Sequence, residues 1–200
     1  MKKVIINIHG FNSGPGQKAV ELSIQFPDSV LIHAPQLSYQ PEKAIEHLRT
    51  ILDLYKGHEV HIVGTSLGGF YAMYLSTIYC DQISYYFYII NPSFTPHLTL
   101  TRHNGETVTN YKTQEQFKVT YEFLNELRTI YQAMIQNYTA QSINSSSFFL
   151  STQDELLDFK EVIMFIKSFE VPYRLSYSQQ DHRFQDISDV VRAIKENMVG

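Results

Sequence analysis

Val60-His61-Ile62-Val63-Gly64-Thr65-Ser66-Leu67-Gly68-Gly69-Phe70 decides how the rest of the chain is read. A short apolar run ends in Gly64-Thr65-Ser66-Leu67-Gly68, and a helical pattern follows at once. This is the G-x-S-x-G pattern in the context it needs: strand, sharp turn, helix. Such a turn strains the serine backbone and pushes its hydroxyl out above the sheet. Gly64 and Gly68 flank Ser66 because a Cβ at either place would collide as the helix folds back on the strand. The helix then aims its first N–H groups, that of Leu67 included, at the space above Ser66. The plain alternative is a Gly-rich turn with an incidental serine, since five residues alone match often by chance. The flanking strand and helix favour a nucleophile.

Outward from this stretch, 200 residues suit one domain with a sizeable core. Hydrophobic residues make up 44% and charged ones 18%, which describes a globular chain and not a disordered one. The net charge is −4 without a basic block, which argues against a nucleic-acid partner. A single cysteine, Cys80, excludes an intramolecular disulfide and reads as a small buried residue. Lys2 and Lys3 precede a run, Val4 to Ile8, that is short and contains Asn7; it reads as a first strand and not a signal peptide. The longest apolar run, Tyr85 to Ile90, is too short to span a bilayer. The expected location is the cytoplasm, so the sequon matches at Asn137 and Asn144 carry no weight.

In chain order, Val4 to His9 reads as a buried parallel strand, followed by the loop Phe11-Asn12-Ser13-Gly14-Pro15-Gly16. A helix starts near Gln17 and stops at Pro27. Asp28 to His33 is a second strand. Pro41 opens a second helix, which Gly57 ends. The third strand carries Ser66 at its end, with a helix from about Gly69 to Tyr79. Ile83 to Ile90 is a fourth strand, Ser147 to Leu150 a fifth and Tyr173 to Tyr177 a sixth. A helix holding Leu156, Leu157, Val162, Ile163 and Ile166 joins the last two, and one with Ile187, Val190, Val191, Ile194 and Met198 closes the chain. Strands alternating with helices imply a parallel sheet covered on both faces. Residues 93–144 break the rhythm. They begin irregular and polar through Thr120, then show Tyr121, Leu124, Leu127, Tyr131, Met134 and Tyr138 at helical spacing. This segment reads as a cap-like insertion above the sheet's C-terminal edge, although its Tyr/Leu stripe also suits packing on the body.

A serine hydroxyl is a poor nucleophile until a base takes its proton, and the base needs an acid to hold its tautomer. On a doubly wound sheet such groups stand at the C-terminal ends of strands. Asp154 follows the fifth strand, and Asp181-His182-Arg183-Phe184 follows the sixth. The order Ser66, Asp154, His182 is the Ser…acid…His order of α/β-hydrolases. A histidine in a polar loop is usually just solvated, but of the eight histidines His182 alone stands at a strand end after Ser66. Asp154 also suits a cap for the next helix, and Glu155 and Asp158 compete for the acid role; Asp154 stands ahead because it sits closest to the strand end. Asp181 and Asp186 are too near His182 in sequence to orient its ring. For the oxyanion, the backbone N–H of Phe11 joins that of Leu67, because the loop after the first strand lies beside the elbow.

Gly14-Pro15-Gly16-Gln17-Lys18-Ala19 formally matches the dinucleotide pattern G-x-G-x-x-A. It fails on context: Gly14 lies well past the strand, and the second strand ends in His33-Ala34 with no acid for a ribose. No metal site is expected, since His58 and His61 have no third ligand in view.

Ile8-His9-Gly10-Phe11-Asn12-Ser13, Ala34-Pro35-Gln36-Leu37, Gly64 to Ala72, Ile90-Asn91-Pro92, Gln153 to Phe159 and Asp181-His182-Arg183-Phe184 together carry a family resemblance. In their joint order the chain resembles the YqiA/YcfP-like family (UPF0227) of small α/β-hydrolase-fold esterases over nearly its whole length. Thr65 stands where that family usually has Ser, and Gln153 and Gln179-Gln180 where it has Gly. The resemblance implies an α/β-hydrolase core with serine esterase-like activity, Ser66, Asp154 and His182 falling on the triad motifs.

The expected fold is a mostly parallel sheet of about six strands with helices on both faces. It is a reduced core lacking N-terminal antiparallel strands, with the insertion after the fourth strand. The expected function is hydrolysis of a small acyl ester or thioester without cofactor. Phe11, Phe70, Tyr71, Phe94 and Phe184 are candidates for an acyl pocket. Acyl transfer, or a binding protein with an idle triad, are the alternatives. Fold does not separate them, and the presence of all three triad residue types favours the enzyme. The residues carry no signal for oligomeric state.

Overall fold

The structure is a computed structural model and describes residues 2–199. Its elements run in the order β1 (Lys3–Ile8), α1 (Gln17–Gln25), β2 (Val30–His33), α2 (Pro41–Leu54), β3 (Glu59–Thr65), α3 (Leu67–Tyr79) and β4 (Tyr85–Ile90). Then come α4 (Pro96–Thr99), β5 (Thr107–Thr109), β6 (Gln116–Lys118), α5 (Tyr121–Asn137) and α6 (Ala140–Asn144). The chain ends with β7 (Ser146–Ser151), α7 (Phe159–Lys167), β8 (Arg174–Ser178) and α8 (Ser188–Val199). Six strands form one sheet in the order β2-β1-β3-β4-β7-β8, and every neighbouring pair is parallel. β5 and β6 make a separate antiparallel hairpin.

The inner strands β1, β3 and β4 are mostly apolar and buried because both faces of the sheet are covered there, whereas the edge strands β2 and β8 are partly exposed. Side chains alternate between two cores. Val4, Ile6 and Ile8 of β1 join Ile62, Phe87 and Phe148 on the face that α2 and α3 cover. Ile5, Val63, Tyr88, Ile90 and Phe149 join Leu22 of α1 and Ile187, Val190 and Ile194 of the closing segment on the other. From β1 the sheet grows outward to β2, then reverses to β3 on β1's other side. The crevice at the strand ends therefore opens between β1 and β3, where such sheets bind ligands. Residues after Ile8 and after Thr65 line it.

Strand limits differ from the sequence reading by no more than two residues at either end, which is where end effects act. His9 lies outside β1, whose pairing with β3 ends at Ile8; its Nδ1–H donates to the Gly10 carbonyl at 2.9 Å, and its Nε2 accepts the Leu37 N–H at 3.1 Å. Ile83 is 95% exposed in a turn before β4 and is not part of the strand. Leu156 and Leu157 are not helical; Asp154 Oδ1 holds both of their N–H groups at 2.9 Å, and α7 begins only after Asp158. Residues 93–120 are more regular than expected, with α4, a 3₁₀ turn at Thr101–His103 and the hairpin. On α5, Phe123, Leu124, Leu127, Ile130 and Met134 are buried in the same core as the sheet, whereas Tyr121 is exposed.

One buried polar chain braces the far end of the sheet. His61 is 0% exposed and stacks between Tyr86 and Tyr88, at 5.1 and 5.8 Å between ring centres. Its Nε2–H donates to Glu59 Oε1 at 3.0 Å, and its Nδ1 accepts the Tyr88 hydroxyl at 3.0 Å. The Tyr88 oxygen in turn accepts Asn197 Nδ2–H from α8 at 2.8 Å. Burial holds the His61 pKa below its ordinary value, against the opposing pull of Glu59.

A histidine whose folded pKa is depressed binds its proton more readily when unfolded. Its contribution to stability is thus present above the unfolded pKa and is lost as pH falls through that value toward the folded one. The unfolding midpoint in urea should fall between about pH 7.5 and pH 5.5, with up to about 1.4 kcal/mol per pH unit from each such histidine. His61→Gln should be less stable at neutral pH and show a flatter slope. His9, His33 and His97, also depressed by burial, leave a residual dependence. An unaltered slope in the variant would remove His61 from this role.

Candidate active site

Ser66 sits at the turn between β3 and α3 with φ 58° and ψ −120°, in the left-handed half of backbone space. Only a tight constraint holds a non-glycine residue there, and here the constraint is visible on both sides. A Cβ on Gly64 would lie 2.3 Å from the Gly68 carbonyl oxygen, and one on Gly68 would lie 2.3 Å from the Ile8 carbonyl oxygen. The start of α3 thus crosses directly over the ends of β3 and β1. The segment after β4 fixes the elbow: Ser66 N–H donates to the Ile90 carbonyl, and the Ser66 carbonyl accepts Ser93 N–H, both at 3.0 Å.

The structure brings Ser66, His182 and Asp154 together. The Ser66 hydroxyl donates to His182 Nε2 at 3.0 Å, and His182 Nδ1–H donates to Asp154 Oδ2 at 2.7 Å. The Asp154 side chain is 2% exposed. Burial alone would push its pKa up, but the hydrogen bonds from His182, Leu156 and Leu157 and the nearness of the imidazole bring it below the usual carboxylate value. The group stays ionised, which keeps the proton on Nδ1 and leaves the Nε2 lone pair for the serine.

The competing carboxylates have other duties. Asp158 caps α7, its Oδ1 accepting Lys160 N–H at 2.9 Å. Asp181 accepts Arg183 N–H at 3.0 Å, and Asp186 accepts Ser188 N–H at 2.9 Å. Exposed Glu155 accepts the backbone N–H of His182 at 2.9 Å, which lowers its own pKa. It therefore supports the histidine loop instead of meeting the ring.

The loop after β1 runs alongside the hydroxyl. A Cβ on Gly10 would come within 3.2 Å of Ser66 Cβ and 3.6 Å of Ser66 Oγ. Among the described residues, neither Phe11 N–H nor Leu67 N–H donates to a protein acceptor. Ser66 and His182 open into a cleft of about 610 Å³ shared with Gly10, Phe11, Ser13, Gln17, Lys18, Tyr111, Lys112 and Arg183. Beside it, on the Phe11 side, lies an apolar pocket of about 30 Å³ with Leu67, Tyr71, Phe117 and Phe123. Phe11 and Tyr71 are thus at the site. Phe70, Phe94 and Phe184 are not: each is buried in a core, Phe94 against Tyr131 and Phe165 and Phe184 on the α8 face. A larger groove of about 700 Å³ lies away from Ser66 on the outer surface of α1 and α8. Among the described residues, no group of three or more His, Cys, Asp or Glu is placed to hold a metal ion. No helix there is long and apolar enough to cross a membrane.

Asn91 escaped the sequence reading as a working residue. It is buried at the end of β4 with φ 38°. Its Oδ1 accepts Ser151 N–H at 2.7 Å, and its Nδ2–H donates to the His182 carbonyl at 3.3 Å. One side chain thus joins the end of β4 to the loops that carry Asp154 and His182. An Asn directly before Pro92 at a strand end was the available signal.

Six parallel strands in this order, with a strained serine after the third and His and Asp after the last two, define the α/β-hydrolase fold. Est1E from Butyrivibrio proteoclasticus shares it at a TM-score of 0.71 and 17% identity, over 100% of this chain and 88% of that one. Mouse alpha/beta hydrolase domain-containing protein 10 does so at 0.70 and 16%, over 100% and 90%. The monoacylglycerol lipase of Paleococcus ferrophilus matches at 0.68 and 13%, over 98% and 93%. The model of the uncharacterised protein family UPF0227 matches residues 4–198, and the chain belongs to that family.

Asn91→Ala removes the partner of a buried N–H and a carbonyl, a loss of about 1–3 kcal/mol. Thermal melting should show a lowered midpoint, with a larger loss than Asn12→Ala, a half-buried loop residue with the same side chain. Equal, small losses in both would mean that Asn91 does not bind these loops together.

Proposed function

We propose that the chain is a serine hydrolase that cleaves carboxylic esters or thioesters through an acyl-enzyme on Ser66. The observation that carries this reading is the unbroken chain from Asp154 through His182 to the Ser66 hydroxyl, at 2.7 and 3.0 Å. Both contacts are within hydrogen-bond reach without rearrangement.

Ser66 Oγ attacks the acyl carbon while its proton passes to His182 Nε2. Ionised Asp154 stabilises the imidazolium and does not itself take the proton. The carbonyl oxygen becomes an oxyanion facing the free N–H groups of Phe11 and Leu67, each worth about 3 kcal/mol of transition-state stabilisation. The tetrahedral intermediate collapses, and the leaving oxygen or sulfur takes the proton from His182. Water then attacks the acyl-serine with His182 as base, and the same steps return Ser66. No cofactor takes part. Ester chemistry also suits the company of the fold, which includes a monoacylglycerol lipase and an Est1E structure with ferulic acid bound.

Residues 93–144 act as a cap in this reading. The hairpin tip brings Tyr111 and Lys112 to the cleft. It is tied to the loop after β1 by Asn110 Nδ2–H on the Ser13 carbonyl at 2.8 Å and by Tyr111 Oη and Ser13 Oγ at 2.7 Å.

A fluorophosphonate probe should label Ser66 in the wild type, label weakly in His182→Ala and leave Ser66→Ala unmodified. Hydrolysis of a simple aryl ester should fall about 10³-fold or more in Ser66→Ala and by about 10³–10⁴ in Asp154→Asn. Asp158→Ala should keep its turnover and lose about 1 kcal/mol of stability as a helix cap. Retained hydrolysis in well-folded Ser66→Ala would end this mechanism.

A further inference from the structure

The cleft at Ser66 has a charge that the chain as a whole does not. The protein carries 20 acidic and 16 basic residues, yet Lys18, Lys112 and Arg183 line this cleft and, among the described residues, no Asp or Glu does. Among the described residues none of the three forms an ion pair with a carboxylate within 4.0 Å. They come from three separate segments: the start of α1, the hairpin tip and the residue after His182. Lys18 Nζ–H donates to the Arg183 carbonyl at 2.6 Å, so two of the three are held together on the histidine side. Lys112 lies over the start of α1, where a Cβ on Gly16 would lie 3.9 Å from its Nζ. Gly16, which also lines the cleft, precedes α1 without a side-chain cap on the first N–H groups of that helix.

Three cations in one concave site reinforce each other, because low-dielectric walls focus their field. They repel one another, and an anion that fills the cleft would relieve that repulsion. Burial pushes the Lys18 pKa down to about 8, against the opposing charges of Glu21 and Asp181, so most of it remains protonated at neutral pH. A bound oxyanion would favour its charged form further.

The side of the serine matters. In the mechanism proposed above, His182 hands its proton to the departing atom, so the departing half of the substrate lies on the His182 side. That is where Arg183 and Lys18 stand. The other side, beyond Phe11, offers only the apolar pocket of about 30 Å³, room for a group on the scale of one or two waters.

Resting on the hydrolase reading, we infer that Lys18, Lys112 and Arg183 form an anion subsite that receives a carboxylate or phosphate carried on the leaving half of the substrate. The three residues set specificity; none of them touches the reacting atoms.

Three acetyl esters that differ only in the leaving phenol test this: 4-acetoxybenzamide (neutral), 4-acetoxybenzoate and 4-acetoxyphenyl phosphate. Comparing each ester between wild type and variant cancels its intrinsic reactivity. In Lys112→Gln/Arg183→Gln, kcat/KM for an anionic ester should fall about tenfold, through KM, and that for the neutral ester by less than about threefold. A larger loss with the phosphate marks phosphate as the group the subsite takes, and a larger loss with the benzoate marks carboxylate. In wild type alone, raising salt from about 0.02 to about 0.5 M should lower the anionic rate relative to the neutral one, because salt screens exposed charge. A parallel fall of anionic and neutral esters in the variant, or no selective effect of salt, would overturn the subsite. Undiminished hydrolysis of all three by Ser66→Ala would instead overturn the hydrolase reading beneath it.

Discussion

Everything at the site depends on how closely the first turn of α3 crosses the ends of β1 and β3. Backbone meets backbone there, with no room for a methyl group at Gly64 or Gly68. This contact forces Ser66 into its positive φ, since the chain must reverse within one residue. It also sets the loop after β1 against the serine, because Gly68 packs on the Ile8 and His9 carbonyls. The position of the Ser66 hydroxyl, the free N–H groups and the mouth of the cleft thus share one steric cause. The strain is held by the parallel pairing of β3 with β1 and β4 on either side, and by the bonds from Ile90 and Ser93 to both ends of the Ser66 peptide.

The histidine and its acid have no comparable steric lock. They sit on loops after the two outermost strands on that side, and loops need fastening. Asn91 supplies one fastening from β4. The Glu155 carboxylate supplies another on the His182 N–H, and the Ser151 hydroxyl bonds the Gln180 carbonyl. The Asx turn at Asp154 adds a third kind. Its Oδ1 is occupied by Leu156 and Leu157 N–H groups, so only Oδ2 is left to meet His182, and the carboxylate cannot swing away without breaking both bonds. A rigid elbow and a hydrogen-bonded loop assembly therefore meet at the Ser66 hydroxyl.

Most of this was legible in the chain because it rests on local signals. Gly64 and Gly68 mark the elbow, apolar runs mark the strands, and the strand ends nominate Asp154 and His182. Among Asp154, Glu155 and Asp158 the strand end favoured Asp154, but spacing alone does not say which oxygen faces the ring and which caps α7. Periodicity overextended the helix before β8 to Leu156 and Leu157, because the Asp154 turn overrides hydrophobic spacing there. Phe70, Phe94 and Phe184 stood near motifs in sequence but point into cores: closeness along a chain is not direction in space. The small hairpin of β5 and β6 was hidden because its strands are three residues each, too short for any period to show.

The basic lining of the cleft shows the same limit from another side. Lys18, Lys112 and Arg183 are separated by 94 and 71 positions in the chain, and a net charge of −4 conceals them. Charge counted along a sequence reports a sum, whereas a ligand meets a local field set by which side chains the topology gathers. Here the gathering follows from the switch point: α1 leaves the sheet beside β1, the His182 loop arrives from beyond β8, and residues 93–144 return over both. The substrate chemistry proposed for the cleft thus depends on the insertion as much as on the elbow. Relatives that keep the elbow but differ between β4 and β7 would keep the proposed reaction and change what it acts on.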